Sequence, residues 1–143
     1  MKIIQISVFL ENRKGRLADV CKVLGEHKIN IRALTVAESD DFGILRLVVD
    51  KPQEATTILK SNGFVANLTE VVTVEVQDKP GGLAEVLQVL DKHNINVEYM
   101  YAFLERESNK ALLVFRFDNI DKAIDVLKAA KVRVLTKKDI GDV

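Results

Sequence analysis

Apolar residues alternate with polar ones at Ile4, Ile6 and Val8 and again at Val72, Val74 and Val76, the period of a strand with one buried face. The period then lengthens. Leu17, Val20, Cys21 and Leu24, and later Leu83, Val86, Leu87 and Leu90, fall at i, i+3, i+4 and i+7, which predicts two helices with one apolar face each. Between strand and helix lies a polar turn, Asn12-Arg13-Lys14-Gly15 in one place and Asp78-Lys79-Pro80-Gly81 in the other. Each sets an Asx residue and a glycine ahead of the helical pattern, and the restricted φ of Pro80 suits a helix start. Residues 29–38 and 95–104 read as second strands, and residues 44–49 and 112–117 as third strands reached through a polar turn. Second helices follow on the faces Ala55, Ile58, Leu59 and Ile120, Ala123, Ile124, Leu127, with Pro52 in the first turn of one and Asp118 as the expected cap of the other. Residues 64–68 and 132–136 predict short closing strands.

The same order therefore occurs twice, and the residues repeat with it. At a shift of 66, residues 15–34 match residues 81–100 at nine of twenty positions, among them Gly15/Gly81, Leu17/Leu83, His27/His93 and Asn30/Asn96. Farther on, Asp50, Ala55, Leu59 and Lys60 match Asp118, Ala123, Leu127 and Lys128 at a shift of 68. The second copy thus carries two extra residues, placed by this reading in the loop around residues 105–110.

A βαββαβ order favours a four-stranded antiparallel sheet with both helices on one face, the ferredoxin-like plan, because right-handed crossovers place the helices together. The fold class is α+β, with two tandem modules at residues 1–69 and 70–143. From Phe64 to Val76 there is no glycine or proline and only Asn67 as a turn former. The expected linker is short, residues 67–70. A module of this size buries about 60% of its unfolded surface and is marginal alone, so the two are expected to pack side by side and cover exposed sheet edges.

Composition narrows the function. The 21 Lys and Arg are balanced by 21 Asp and Glu, so no basic field is available to collect a polyanion. With one cysteine, Cys21, and two histidines, His27 and His93, neither an internal disulfide nor a Cys/His metal framework can be built. A reduced, cytoplasmic protein is the expectation. The apolar start is interrupted by Gln5 and Ser7 and is far shorter than the ~20 residues of a membrane helix.

Two motifs recur in both copies: Asn/Asp-x-x-Gly-x-Leu at the first turn (residues 12–17 and 78–83) and His-x-Ile-Asn-Ile/Val after the first helix (residues 27–31 and 93–97). On these residues the chain resembles the ACT domain, as a tandem pair over nearly its whole length with no appended catalytic domain. ACT domains are regulatory modules that bind small molecules, most often amino acids, at interfaces between modules. The resemblance implies a stand-alone, non-enzymatic amino-acid sensor that needs no cofactor and acts on a separate effector enzyme or regulator; a homodimer is a possible assembly that the chain does not decide. It places ligand contacts at Asn12, Gly15, Arg16 and Leu17, with Asn30 and Ile31, in the first copy. In the second copy it places them at Asp78, Pro80, Gly81, Gly82 and Leu83, with Asn96 and Val97. The copies differ at the turn, which reads Lys14-Gly15-Arg16 against Pro80-Gly81-Gly82. Different occupancy or ligand preference follows as an expectation.

The residues themselves support such chemistry. N–H groups at a helix start lack intrahelical partners and lie at the positive end of the dipole, which suits a ligand carboxylate. Gly15, Gly81 and Gly82 allow close approach to that backbone. Asn12 and Asp78 are placed either to accept from a ligand ammonium or to cap the helix, and Asn30 and Asn96 either to reach a ligand or to form the turn after the helix. His27 and His93 sit at helix C-termini, where the dipole accounts for them without metal or catalysis. Cys21 reads as a small buried hydrophobe. Tyr99, Tyr101 and Phe103 share one strand face, as a pocket wall or an interface cover. The alternative function is a nucleic-acid-binding or protein-interaction module on the same fold. The third strands, Ile-Leu-Arg-Leu-Val-Val and Leu-Leu-Val-Phe-Arg-Phe, lack the Gly-rich aromatic signature of RNA-recognition strands. No nucleophile with a base, phosphate loop or metal spacing can be assembled, so no catalytic residue is assigned.

Overall fold

The structure, a computed structural model, describes residues 1–11, 13–38, 42–104 and 109–140. Its elements run β1 (Lys2–Glu11), α1 (Arg16–Glu26), β2 (Ile31–Glu38), β3 (Phe42–Val49), α2 (Pro52–Ser61), β4 (Val65–Gln77), α3 (Gly82–Lys92), β5 (Val97–Ala102), β6 (Lys110–Phe117) and α4 (Ile120–Ala129). The chain divides into two compact units, one of Ile4–Thr69 and one of Met1–Ile3 with Glu70–Val143.

In the unit Ile4–Thr69, β3 lies between β1 and β2 and runs antiparallel to both, with Val8 opposite Leu45 and Leu34 opposite Leu47. The period-2 residues Ile6, Val8, Leu10, Leu45, Leu47 and Val49 form one core with Val20 and Leu24 of α1 and Ala55 and Leu59 of α2. One face of the strands therefore carries both helices, which also touch each other. The unit containing Glu70–Val143 repeats this plan. Here β6 lies between β4 and β5, with Val74 opposite Leu113 and Val72 opposite Phe115. Val72, Val74, Leu113, Phe115 and Phe117 pack on Val86 and Leu90 of α3 and Ala123 and Leu127 of α4. The Phe115 and Phe117 rings stack with centroids 5.3 Å apart. Burying an aliphatic or aromatic side chain of this kind is worth about 1.5–3 kcal/mol, so the alternating pattern contributes most of what holds each unit.

Two local readings change. Residues 67–70, expected as a linker, lie inside the single 13-residue strand β4, because a run of β-branched residues without glycine or proline has nothing to turn it. The last closing strand, residues 132–136, contracts to a bridge between Val74 and Val134. There the Glu75 N–H donates to the Arg133 carbonyl at 3.0 Å and the Leu135 N–H to the Thr73 carbonyl at 2.8 Å. Of the loop at residues 105–110 that was to hold the two extra residues, 105–108 lie outside the described residues.

The helix ends are closed by one device. After α1, α3 and α4 the chain passes through Lys28, Asn94 and Lys131 at φ 58°, 57° and 61°, and after α2 through Gly63 at φ 85°. The next amide reaches back to the helix in each case: Ile29 to Leu24 O, Phe64 to Leu59 O, Ile95 to Leu90 O and Val132 to Leu127 O, at 2.9–3.0 Å. These are Schellman ends, three of them built without glycine. His27 and His93 sit just before the bend, each Nδ1 2.9 Å from the carbonyl four residues back, Val23 O or Val89 O. A carbonyl only accepts, so Nδ1 carries the proton. The imidazole is a helix-end donor.

Candidate functional site

Each motif turn is built around its glycine. The Arg16 N–H bonds Arg13 O at 3.4 Å and the Gly82 N–H bonds Lys79 O at 3.0 Å. The residues before them, Gly15 (φ 92°, ψ −14°) and Gly81 (φ 83°, ψ −8°), occupy the third position of a type II turn. That position requires positive φ, which explains why both copies have glycine there. Pro80 thereby falls at the second turn position, which its fixed φ fits, and not inside the helix.

Gly15 and Gly81 are the N-caps of α1 and α3, and being glycines they offer no side-chain acceptor at the cap position. The cap position itself is held by a left-handed glycine and not by the Asx residue of the motif. The Asp78 backbone N–H donates to Asn109 O at 2.9 Å. Asn12 lies outside the described residues. The expected cap of α4 also moves by one residue, since Asn119 Oδ1 accepts from the Lys122 N–H at 3.1 Å. Asp118 does other work. Its Oδ1 accepts from the amides of Asn96 (3.1 Å) and Asn119 (2.8 Å), and its own N–H donates to Asn96 O (3.2 Å). Asp50 does the same for Asn30, at 3.0 Å and 3.2 Å. The repeated asparagines are therefore tied to the third strand through their backbone, and the repeated aspartates hold the strand entry. The match of Asp50 with Asp118 was the signal for this pair.

The two turns diverge at the first helical residue. In α1 it is Arg16, whose guanidinium carbon lies 4.4 Å from the centre of the Phe64 ring. Its Nη1 is 3.7 Å from Asp19 Oδ2, a loose ion pair. The side chain is 19% exposed, and its Nε is buried without a hydrogen-bond partner among the described residues. An unpaired buried N–H of this kind costs about 1–3 kcal/mol and calls for an acceptor. In α3 the same place is Gly82, where a Cβ would run into the carbonyl oxygen of Gln77 and lie 3.1 Å from its carbon. No side chain fits there. Phe64 carried no signal in the repeat, because its counterpart at a shift of 68 is Val132.

The remaining candidates are dispersed. Leu17 is exposed, Leu83 packs against the core, and Ile31 and Val97 are half-buried opposite Val49 and Phe117. Asn30 and Ile31 follow the far end of α1, and Asn96 and Val97 the far end of α3. Each of those helices has 11 residues and is thus roughly 16 Å long. Within one unit, the turn residues and the asparagine motif cannot hold the same small ligand. Tyr101 and Phe103 are buried, and Cys21 is half-buried, on a helix flank where the apolar stripe meets solvent. Among the described residues, no group of three or more His, Cys, Asp or Glu is arranged to hold a metal ion, and no helix is long and apolar enough to cross a membrane.

A family model described as an ACT domain pair matches residues 1–143. The chain belongs to the ACT domain pair family. Among solved structures, this ACT pair is similar to protein BT0572 from Bacteroides thetaiotaomicron, with 43% identity, a TM-score of 0.93, and coverage of 100% of this chain and 98% of that one. It shares its fold with the ligand-free regulatory subunit of aspartate kinase from Thermus thermophilus (18% identity, TM-score 0.66, 89% and 91% covered). The corresponding subunit from Thermus flavus aligns similarly (19%, 0.64, 90% of each chain). No curated protein matches the sequence. Membership in the family accounts for the repeated turn and asparagine motifs of this ACT pair. It does not account for Arg16, which only one copy has.

Proposed function

We propose that this ACT pair is a non-catalytic regulatory protein that senses an amino acid, each unit being one ACT module. The observation that carries the reading is Arg16. A buried Nε–H, unpaired among the described residues, stands at the first residue of α1, beside a helix start whose cap residue, Gly15, has no side chain. A ligand carboxylate suits both, the guanidinium as a fixed fork and the helix start as a set of N–H donors. The second module offers the helix start alone, and the Gln77 carbonyl crowds it. The first module is therefore the stronger carboxylate site. Residues of the asparagine motif contribute only if another module supplies them, as the ~16 Å length of α1 keeps those of the same module away.

The ligand alters the protein's output only through different affinity for two states, which here means a change in association with a second copy or an effector. The like-folded Thermus chains are regulatory subunits of an enzyme, the kind of separate partner this reading requires. Titration calorimetry and thermal shift against the twenty amino acids are the test, with sedimentation following the assembly state. At least one amino acid raises the melting temperature, and Arg16→Gln abolishes the response. Silence from all twenty at millimolar concentration defeats the proposal.

A further inference from the structure

The unit containing Glu70–Val143 has a cavity that neither the turns nor the asparagine motif explains. It is a hollow of about 630 Å³ that opens widely to solvent and is lined by Met1, Lys2, Ile124, Thr136, Lys137 and Lys138. Three of its six residues are lysines. Lys2 is steered by Asp121, whose Oδ1 lies 3.0 Å from the ammonium and, through that bond and its charge, holds the lysine protonated above its usual range. Glu70 adds a smaller attraction. Lys137 and Lys138 have no carboxylate in ion-pair range among the described residues.

These two lysines stand on a built turn. The Thr136 N–H and hydroxyl both donate to Asp139 Oδ2, at 2.8 and 2.9 Å, and the Asp139 N–H returns to Thr136 O at 3.0 Å. Lys137 and Lys138 are the two corners. Asp139 Oδ1 is 3.5 Å from Arg133 Nη2, and Arg133 Nη1 is 2.7 Å from Glu75 Oε2. Glu75 is only 8% exposed on β4 and takes Lys110 as a second cation at 3.0 Å. Leu135, fully buried, bonds β4 through its backbone. A chain of charged hydrogen bonds thus runs from a buried carboxylate to the turn and holds beside one hollow two ammonium groups that have no ion pair among the described residues. Preorganising the turn lowers the entropy cost of recruiting those charges to a ligand. The side chains of Met1 and Ile124 and the lysine stems make the rest of the lining apolar.

We infer that this cavity is a second ligand site, for a small organic anion with an apolar body, its headgroup against Lys137 and Lys138 and its body on Met1 and Ile124. The site is independent of the amino-acid reading, since it shares no residue with the turns. Calorimetric titration of the full chain with octanoate, octyl phosphate, 1-octanol and inorganic phosphate tests it. Saturable binding of octanoate or octyl phosphate is expected, at least about tenfold tighter than octanol or inorganic phosphate. The K137Q/K138Q double variant, altered at exposed positions, weakens the organic anions about tenfold and removes their salt dependence. Arg16→Gln leaves this binding unchanged. The inference is overturned by no saturable heat from either organic anion, by equal affinity in the double variant, or by octanol or inorganic phosphate binding as tightly.

Discussion

Gly81 and Gly82 are adjacent glycines required for different reasons, and substitution separates them. At Gly81 an added Cβ meets nothing within 4 Å, but φ is 83°, so Gly81→Ala costs backbone strain of roughly 1–2 kcal/mol. At Gly82 the backbone does not have positive φ, and the Cβ runs into the Gln77 carbonyl oxygen. That oxygen belongs to backbone at the end of β4 and cannot rotate aside, so the 77–82 turn must lift from α3. Overpacking of this kind costs about 1–3 kcal/mol. Strain on the Gly82-to-Lys79 hydrogen bond adds roughly 0.5–1.5 kcal/mol. The better helix propensity of alanine returns at most about 1 kcal/mol. The net is about 0.5–4.5 kcal/mol, or a melting temperature lower by roughly 1–18 °C at about 2–4 °C per kcal/mol. Asparagine distinguishes the mechanisms, because it tolerates left-handed backbone but has the same Cβ. Urea and thermal melts should find Gly81→Asn milder than Gly81→Ala, and Gly82→Asn no milder than Gly82→Ala. A Gly82→Ala protein as stable as the parent would refute the steric argument.

Further outcomes follow from the same geometry. Lys28→Gly and Lys131→Gly relieve left-handed backbone at φ 58° and 61° and should each raise stability by about 0.5–1 kcal/mol, read as higher urea midpoints. Arg16→Ala removes the guanidinium from the Phe64 face, a contact worth about 0.5–1 kcal/mol, together with an unpaired buried Nε that costs about 1–3 kcal/mol, so in the absence of ligand the variant should melt no earlier than the parent. Asp118→Ala removes the acceptor for two amides, so hydrogen exchange at Asn96 and Asn119 should accelerate before other amides of the unit. The Asp139 carboxyl is held below its ordinary range by hydrogen bonds from Thr136 and then by Arg133. A depressed carboxylate adds stability above its unfolded pKa of about 3.9 and loses it as pH falls through the folded value. The Thr136 amide should therefore lose its low-field NMR shift only at pH below about 4, and in Asp139→Asn the change with pH should vanish.

How much of the molecule could be read from the chain divides along physical lines. Strand and helix positions followed from Ile6-Val8 and Leu17-Val20-Leu24 because burial of one face imposes periods of 2 and 3.6, and those are written locally. The glycine turns followed for the same reason: positive φ is a property of single residues. Asp118 was misread as a cap because its partner, Asn96, is 22 residues away. Residues 67–70 join the two units, whose boundary falls between Thr69 and Glu70, but as continuous strand and not as a turn, because a run of β-branched residues without glycine or proline has nothing to turn it.

The sequence by itself determined the doubled βαββαβ order, the two turn glycines and the family they point to, since all of these rest on local periodicity, backbone conformation and self-similarity. The sequence also marked the turns as different, but only the tertiary structure decided what that difference does physically. Arg16 acquires meaning from Phe64, which lies 48 residues on and has no counterpart in the repeat, and Gly82 from the carbonyl of Gln77 folded against it. The turn that carries Lys137 and Lys138 is likewise tied to Glu75 through Asp139 and Arg133, a link between residues far apart along the chain. Contacts between groups distant in sequence depend on where the packed core places them, and no local pattern records that.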